Sequence, residues 1–161
     1  TNAGKSSLFN RLSKAPAGKG VRAEDKLFAT LDPTIRRLTL PDNKIVLISD
    51  TVGFIKKLPH QLVEAFKATL EEVRNADILV HVIDSSHSNA EVQIKSVKKV
   101  LEEIEASDKP VINVFNKIDR IEDGMVPAHL RLIAEGGVPV SAVTGEGMDN
   151  LIKAIIREIK Q

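Results

Sequence analysis

Apolar positions in this chain follow two rhythms. Leu8, Phe9 and Leu12 recur at helical spacing after Lys5, which predicts a helix from residue 5 to about 13. Short apolar runs then mark strands at 35–40 and 45–50. Pro41, Asp42, Asn43 and Lys44 join them, residue types that suit a tight turn. In the second strand Ile45, Val46, Leu47 and Ile48 are consecutive, the pattern of a strand buried on both faces. Leu62, Phe66, Leu70 and Val73 line one side of a helix expected over 62–75, and the next strand is expected at 78–84. A helix over 90–106 carries Val92, Val97, Val100, Leu101 and Ile104 on its apolar side. Strands at 111–115 and 138–141, a short helix around 128–134 and a final helix over 148–160 complete the series. Strands alternating with helices of this length predict βαβ units, a mostly parallel sheet and right-handed crossovers.

The breaks in the pattern are as informative as the pattern. Residues 15–34 hold Pro16, Gly18, Gly20 and Pro33 without periodicity, a long loop of the kind that compact domains keep for function. Asp50, Asp84, Asn116 and Ser141 each fall at or just past the end of an apolar strand. In an open α/β fold ligands gather at the carboxyl ends of the strands, so four segments should deliver polar groups to one rim.

Composition narrows the classes. The 161 residues are enough for one domain with a single core, and a net charge of +1 argues neither for nor against nucleic acid. With no cysteine, disulfides, thiolate metal sites and cysteine nucleophiles are excluded, in keeping with a reducing cytoplasm. No apolar run approaches the ~20 residues that span a bilayer. His60, His81, His87 and His129 lack metal-ligand spacing; His81, inside an apolar strand, reads as a hydrogen-bonded core or interface histidine. Asp84 reads as the cap of the turn at Ser85 and Ser86. Arg36 and Arg37 could touch RNA, although arginines on strands are commonplace.

The chemistry begins at the first residue. Thr1, Asn2, Ala3, Gly4, Lys5 and Ser6 match the second half of the phosphate loop G-x-x-x-x-G-K-[ST], whose first glycine would fall two residues before Thr1. Lys5 would reach the β- and γ-phosphate oxygens and the Ser6 hydroxyl a Mg²⁺ ion. The free N–H groups and dipole of the following helix favour an anion there. Asp50, Thr51, Val52 and Gly53 fit D-x-x-G at a strand end, with Asp50 toward the metal and the Gly53 N–H toward a γ-phosphate. Asn116, Lys117, Ile118 and Asp119 fit N-K-x-D. Guanine offers N1–H and N2–H₂, two donors that one carboxylate accepts together, so Asp119 would select the base, with Lys117 lying along it. Ser141, Ala142 and Val143 follow another strand end, where backbone N–H groups could meet guanine O6. The residues alone leave the metal-sensing threonine open among Thr30, Thr34 and Thr39.

In this order the segments lay out a GTP-binding domain. The expected fold is α/β, a P-loop NTPase of the Ras-like G-domain type. It should be three-layered, with a mostly parallel central sheet and one antiparallel edge strand. Residues 1–161 are expected to be a single G domain lacking its first strand and the first phosphate-loop glycine, and the polypeptide is expected to continue upstream through them. That strand would lie between the strands at 45–50 and 78–84.

The chain resembles the GTPase domain of the HflX family of ribosome-associated GTPases over essentially its whole length. The resemblance rests on residues 1–6, on Leu27 to Thr34, and above all on Asp50-Thr51-Val52-Gly53-Phe54-Ile55 continuing to Leu58-Pro59-His60. The runs Leu62 to Phe66 and Thr69 to Glu72 extend it. It implies that Phe28, Ala29, Thr30, Leu31 and Asp32 form a switch over the nucleotide, with Thr30 as its magnesium ligand and γ-phosphate sensor. It further implies binding to ribosomal RNA and protein of the large subunit, and a role in splitting or rescuing stalled ribosomes under stress. Lys5, Thr30 and Gly53 are then the catalytic positions. Phe54 stands where many GTPases place a water-orienting glutamine, so unaided hydrolysis should be slow. Related GTPases use an asparagine at the Asn2 position to bind K⁺. The alternatives are another translation- or ribosome-assembly-linked GTPase and an inactive ribosome-docking fragment. A cytoplasmic monomer is expected.

Overall fold

The computed structural model describes residues 3–13, 23–24, 34–50 and 70–160, which fall into two compact units. The first unit, within 5–75, contains helix α1 (Lys5–Ser13) and strands β1 (Ala23–Glu24), β2 (Thr34–Thr39) and β3 (Ile45–Asp50). The strands form an antiparallel sheet in the order β1-β2-β3, with Leu38 opposite Val46 and Thr34 opposite Asp50. The turn between β2 and β3 closes as its residue types require: Asn43 adopts φ 62°, and the Lys44 N–H donates to Asp42 Oδ1 at 3.3 Å. Helix α1 buries Leu8, Phe9 and Leu12, the three residues whose spacing predicted it. Arg36 of β2 lies over the Phe9 ring at 4.7 Å and donates to Asn10 Oδ1 at 2.9 Å, so this arginine binds helix α1.

One expectation fails here. Strand β3 is not buried on both faces: Ile45 and Leu47 are 52% and 72% exposed, as is their β2 neighbour Ile35 at 44%. Leu38, Val46 and Ile48 point the other way and are better covered. The consecutive apolar run conceals a two-residue alternation, because among the described residues of this unit α1 covers one face only.

The second unit comprises residues 2–4 and 76–161. Its elements are β4 (Leu79–Asp84), α2 (Ala90–Glu103), β5 (Val111–Asn116), two 3₁₀ turns (Ile118–Arg120 and Glu122–Gly124), α3 (Ala128–Ile133), β6 (Val138–Pro139) and α4 (Met148–Ile159). The sheet β4-β5-β6 is parallel, with crossovers through α2 and α3 as the alternation predicted. Its core joins Ile83, Ile94, Phe115 and Leu130, with Val114, Val140 and Leu151 also fully enclosed. Helix α2 stops three residues before its expected end at 106, because Glu105 turns to φ 57°. Strand β6 is two residues long rather than four: Val140 still donates to Phe115 O at 2.8 Å, but Ser141 turns away to donate to Glu146 O at 3.0 Å. Among the described residues no helix is long and apolar enough to cross a membrane.

Candidate nucleotide-binding site

Parallel register places the chemistry of the second unit. Asp84 and Asn116 are partners at the carboxyl ends of β4 and β5, and Val138 and Pro139 of β6 lie beside Val114 and Phe115. Three of the four strand-end residues read from the sequence, Asp84, Asn116 and Ser141, therefore share one rim. All three are buried, at 7%, 1% and 0% exposure.

Asn116 ties separate segments together. Its Nδ2 donates to Ala3 O at 2.8 Å, its Oδ1 accepts from the Ala142 N–H at 3.0 Å, and its backbone oxygen accepts from Ser85 N–H at 3.0 Å. Gly4 makes the first contact possible. It adopts φ 86°, and a Cβ there would lie 2.5 Å from Asn116 Nδ2, so no side chain is tolerated where the loop meets this amide. The Ala142 N–H, one of the groups proposed for guanine O6, is thus engaged by Asn116; meeting a base carbonyl requires sharing or exchanging that bond. Val143 is 70% exposed.

Asp119 sits in the first 3₁₀ turn, exposed, and accepts the Ser141 hydroxyl at Oδ1 over 2.5 Å. Such a short charge-assisted bond fixes the carboxylate. The Ser141 hydroxyl in turn accepts from the Thr144 N–H at 3.0 Å. Ile118 is buried beneath, its N–H donating to Val140 O at 3.3 Å. Asn116, Ile118 and Asp119 of N-K-x-D are thus each hydrogen-bonded to the 140–142 segment, through Ala142, Val140 and Ser141 respectively.

Asp84 does more than the sequence suggested. Oδ1 caps the turn as expected, accepting from the Ser86 N–H at 3.1 Å and hydroxyl at 2.6 Å. Oδ2 accepts from Lys117 Nζ at 2.5 Å, an ion pair that sequence reasoning missed. Lys117 itself occupies the left-handed region at φ 66°, uncommon for a non-glycine residue. Burial, the largest influence on Asp84, raises its carboxyl pKa; the hydrogen bonds from Lys117 and Ser86 and the ammonium charge together outweigh it and hold the carboxyl below its ordinary range.

On the same strand, His81 Nδ1 lies 3.2 Å from Asn113 Oδ1, the hydrogen-bonded histidine that was expected. Burial lowers its pKa most, the bond to Asn113 opposes that, and the charge of Lys98 adds to the lowering. The sign follows by linkage. With the folded pKa below the unfolded one, the unfolded chain binds the extra proton, so stability falls as pH drops through the unfolded value of about 6.5. The Asp84 contribution has its own window: it is present above the unfolded carboxylate pKa and lost only as pH falls through the depressed folded value, below about 4. Urea midpoints at pH 7.5, 6.5 and 5.5 should decline in the parent chain and stay flatter in His81→Gln. An unchanged slope in that variant would remove His81 as the cause.

In the first unit, Ser6 in the opening turn of α1 donates to Asp50 Oδ2 at 2.7 Å, and Lys5 begins the helix. The first turn carries no acidic residue. A hydroxyl whose proton is committed to a carboxylate keeps its lone pairs for a cation, so the pair fits a hard divalent ion with oxygen ligands. Among the described residues no group of three histidines or carboxylates could hold a metal by side chains alone. Mg²⁺ on a nucleotide takes phosphate and water oxygens together with one or two protein oxygens, a set to which this pair could contribute. Thr39, opposite Ile45 by the turn, is excluded as its threonine ligand: it stands five residues, or ~16 Å of strand, from the Asp50 end, where Thr34 pairs. Thr1, Asn2, Phe28, Ala29, Thr30, Leu31, Asp32, Thr51, Val52, Gly53, Phe54 and His60 lie outside the described residues.

Comparison with known proteins agrees with this chemistry. Residues 1–117 match the family described as 50S ribosome-binding GTPase. The chain is 53% identical over 160 residues to the GTPase HflX of Magnetococcus marinus, a match covering 99% of this chain and 36% of that protein. Against the GTPase HflX of Escherichia coli the identity is 47% over 163 residues, covering 99% and 37%. The chain thus spans just over a third of the length of these curated relatives. Among solved structures, a GTP-binding protein from the hyperthermophilic archaeon Sulfolobus solfataricus in complex with GDP superposes with a TM-score of 0.71 at 29% identity, covering 100% of this chain and 50% of that one. The G domain of the FeoB iron transporter of T. maritima covers 98% and 92% with a TM-score of 0.64, and at 23% identity speaks to the fold alone.

The fold is that of the P-loop GTPases. Within that class, the chain belongs to the family of 50S ribosome-binding GTPases.

Proposed function

We propose that this chain is the single GTP-binding domain of a ribosome-associated GTPase of the HflX kind. It binds GTP and hydrolyses it slowly to GDP and phosphate. The observation that carries this reading is the Asp119 carboxylate, held by Ser141 at 2.5 Å beside an Asn116 that joins Ala3 to Ala142. A carboxylate fixed in this way at a strand end is built to accept the paired donors of guanine. The GDP complex of the archaeal GTP-binding protein supports the same ligand class here.

In this reading Lys5 and the N–H groups of residues 1–6 bind the phosphates, Gly53 contacts the γ-phosphate, and residues 28–32 close over the nucleotide. Ser6, Asp50 and Thr30 would hold Mg²⁺, which when bound neutralises charge on the β- and γ-phosphate oxygens. Phe54 cannot hydrogen-bond a water, so orientation of the nucleophile comes from outside this segment, and the large ribosomal subunit is the proposed source. Asn2 is the proposed K⁺-binding position. The family's description, 50S ribosome-binding GTPase, supports a ribosomal role; beyond it, we propose a cytoplasmic monomer that contacts ribosomal RNA and protein and acts in splitting or rescuing stalled ribosomes.

The test is GTP turnover with and without purified large subunits, in Mg²⁺ and in excess chelator, and in K⁺ against Na⁺. We expect slow magnesium-dependent turnover that rises at least about tenfold with subunits. Failure of a folded sample to bind labelled GDP would leave a ribosome-docking role in place of an enzyme. Equal rates in K⁺ and Na⁺ would remove the assignment of Asn2.

A further inference from the structure

A lysine at the second place of N-K-x-D has to lie along a base, yet its stem has four rotatable bonds and nothing in the sequence near it to fix them. The structure supplies the fixing group from another strand. Lys117 leaves β5 in the left-handed backbone conformation, and its Cε lies 3.9 Å from where a Cβ on Gly4 would stand. The stem therefore passes over the phosphate-loop glycine. Beyond it, Nζ meets Asp84 Oδ2 at 2.5 Å, with the two side chains only 17% and 10% exposed. Asp84 is in turn immobilised from its other oxygen by the Ser86 N–H and hydroxyl. Register makes this anchor rigid: Asp84 is the β4 partner of Asn116, the residue immediately before Lys117.

We infer that Asp84 is a positioning residue for guanine nucleotide binding, which holds Lys117 extended over Gly4 so that the base meets a stem already in place. The inference rests on the guanine-nucleotide reading of the N-K-x-D segment. Without the anchor, the lysine must be ordered when nucleotide binds, at the expense of affinity. Immobilising one long side chain corresponds to about three- to tenfold in a dissociation constant.

Asp84→Asn isolates this role, because the amide oxygen can still accept from Ser86 while the charge that holds Lys117 is gone. The experiment is a double-mutant cycle on the protein as the cell makes it. Fluorescent GDP dissociation constants are measured for the parent, Asp84→Asn, Lys117→Met and the pair, with Asp84→Glu as the charge-conserving control. We expect Asp84→Asn to weaken GDP about three- to tenfold when Lys117 is present and less than about twofold when it is methionine, with Asp84→Glu recovering most of the loss. An equal loss in both backgrounds would mean that Asp84 only maintains the local fold, which overturns the inference. So would parent-like GDP affinity in Asp84→Asn. Absence of GDP binding by the folded parent would instead sink the nucleotide reading, and the inference with it. Should Asp84→Asn fail to fold, the Glu variant decides: with the charge kept but reach altered, parent-like affinity supports the anchor, and a loss that persists in the methionine background refutes it.

Discussion

Replacing Asp119 by asparagine is expected to lower affinity for GTP by roughly a thousandfold or more and to raise affinity for xanthosine triphosphate. Guanine presents N1–H and N2–H₂ side by side, and a carboxylate accepts both. An asparagine offers one acceptor oxygen and an NH₂ donor group, so its NH₂ would face the guanine amino group, donor against donor. Xanthine carries a carbonyl at that position and restores the match. The effect should be large because the carboxylate is preset: Ser141 donates to Oδ1 at 2.5 Å, and Ser141 is itself wholly buried, tied through its hydroxyl to the Thr144 N–H and through its own N–H to Glu146 O. The asparagine cannot swing aside without breaking that bond. Competition of GDP and xanthosine diphosphate against a fluorescent nucleotide gives the ratio. Unchanged guanine selectivity would refute the role assigned to Asp119.

How far the chain announced this arrangement depends on the range over which each signal acts. Local signals were legible. Leu8, Phe9 and Leu12 are the buried face of α1, Asn43 takes the left-handed turn position, and α4 runs within one residue of its expected end. N-K-x-D could be placed at a strand end because Val111 to Phe115 is apolar except for Asn113 and is bounded, and β5 includes Asn116 as its last residue. Signals that depend on what lies across the sheet were not legible. Ile45 to Ile48 reads as a fully buried strand, but only its neighbours decide whether Leu47 is covered, and it is 72% exposed. Likewise, a two-residue β6 cannot be separated from a four-residue one by hydrophobicity, since Val140 and Ser141 are buried either way and differ only in where their N–H groups bond. The Asp84–Lys117 pair spans 33 residues with no periodic trace. It follows only from the parallel register of β4 on β5, which puts Asp84 beside Asn116.

The largest stability effect should come from Gly147→Ala. Gly147 precedes α4, with φ 75°, and accepts from the N–H groups of Asn150 and Leu151, both at 3.1 Å, as the helix starts. A Cβ added there would lie 2.0 Å from Pro139 O, 3.1 Å from Pro139 C and 3.2 Å from Val140 Cα. All three are backbone atoms at the end of β6, so no side chain can rotate out of the way. The left-handed conformation costs an alanine about 1 kcal/mol, and the forced backbone shift a further 1–3 kcal/mol or so. A total of about 2–4 kcal/mol is a large part of the ~5–15 kcal/mol that a domain of this kind has in hand. Gly136 provides the control: its φ is 69°, but a Cβ there meets nothing within 4 Å. Gly136→Ala should therefore lose only the conformational part, about 1 kcal/mol. Urea unfolding of the two variants separates conformational strain from contact, and equal losses would show that the approach to Pro139 O is not what requires glycine. The shift at Pro139 would also reach Ser141, two residues on, whose hydroxyl holds Asp119. Gly147→Ala should accordingly weaken GDP binding in the fraction that remains folded, whereas Gly136→Ala should leave it near the parent value.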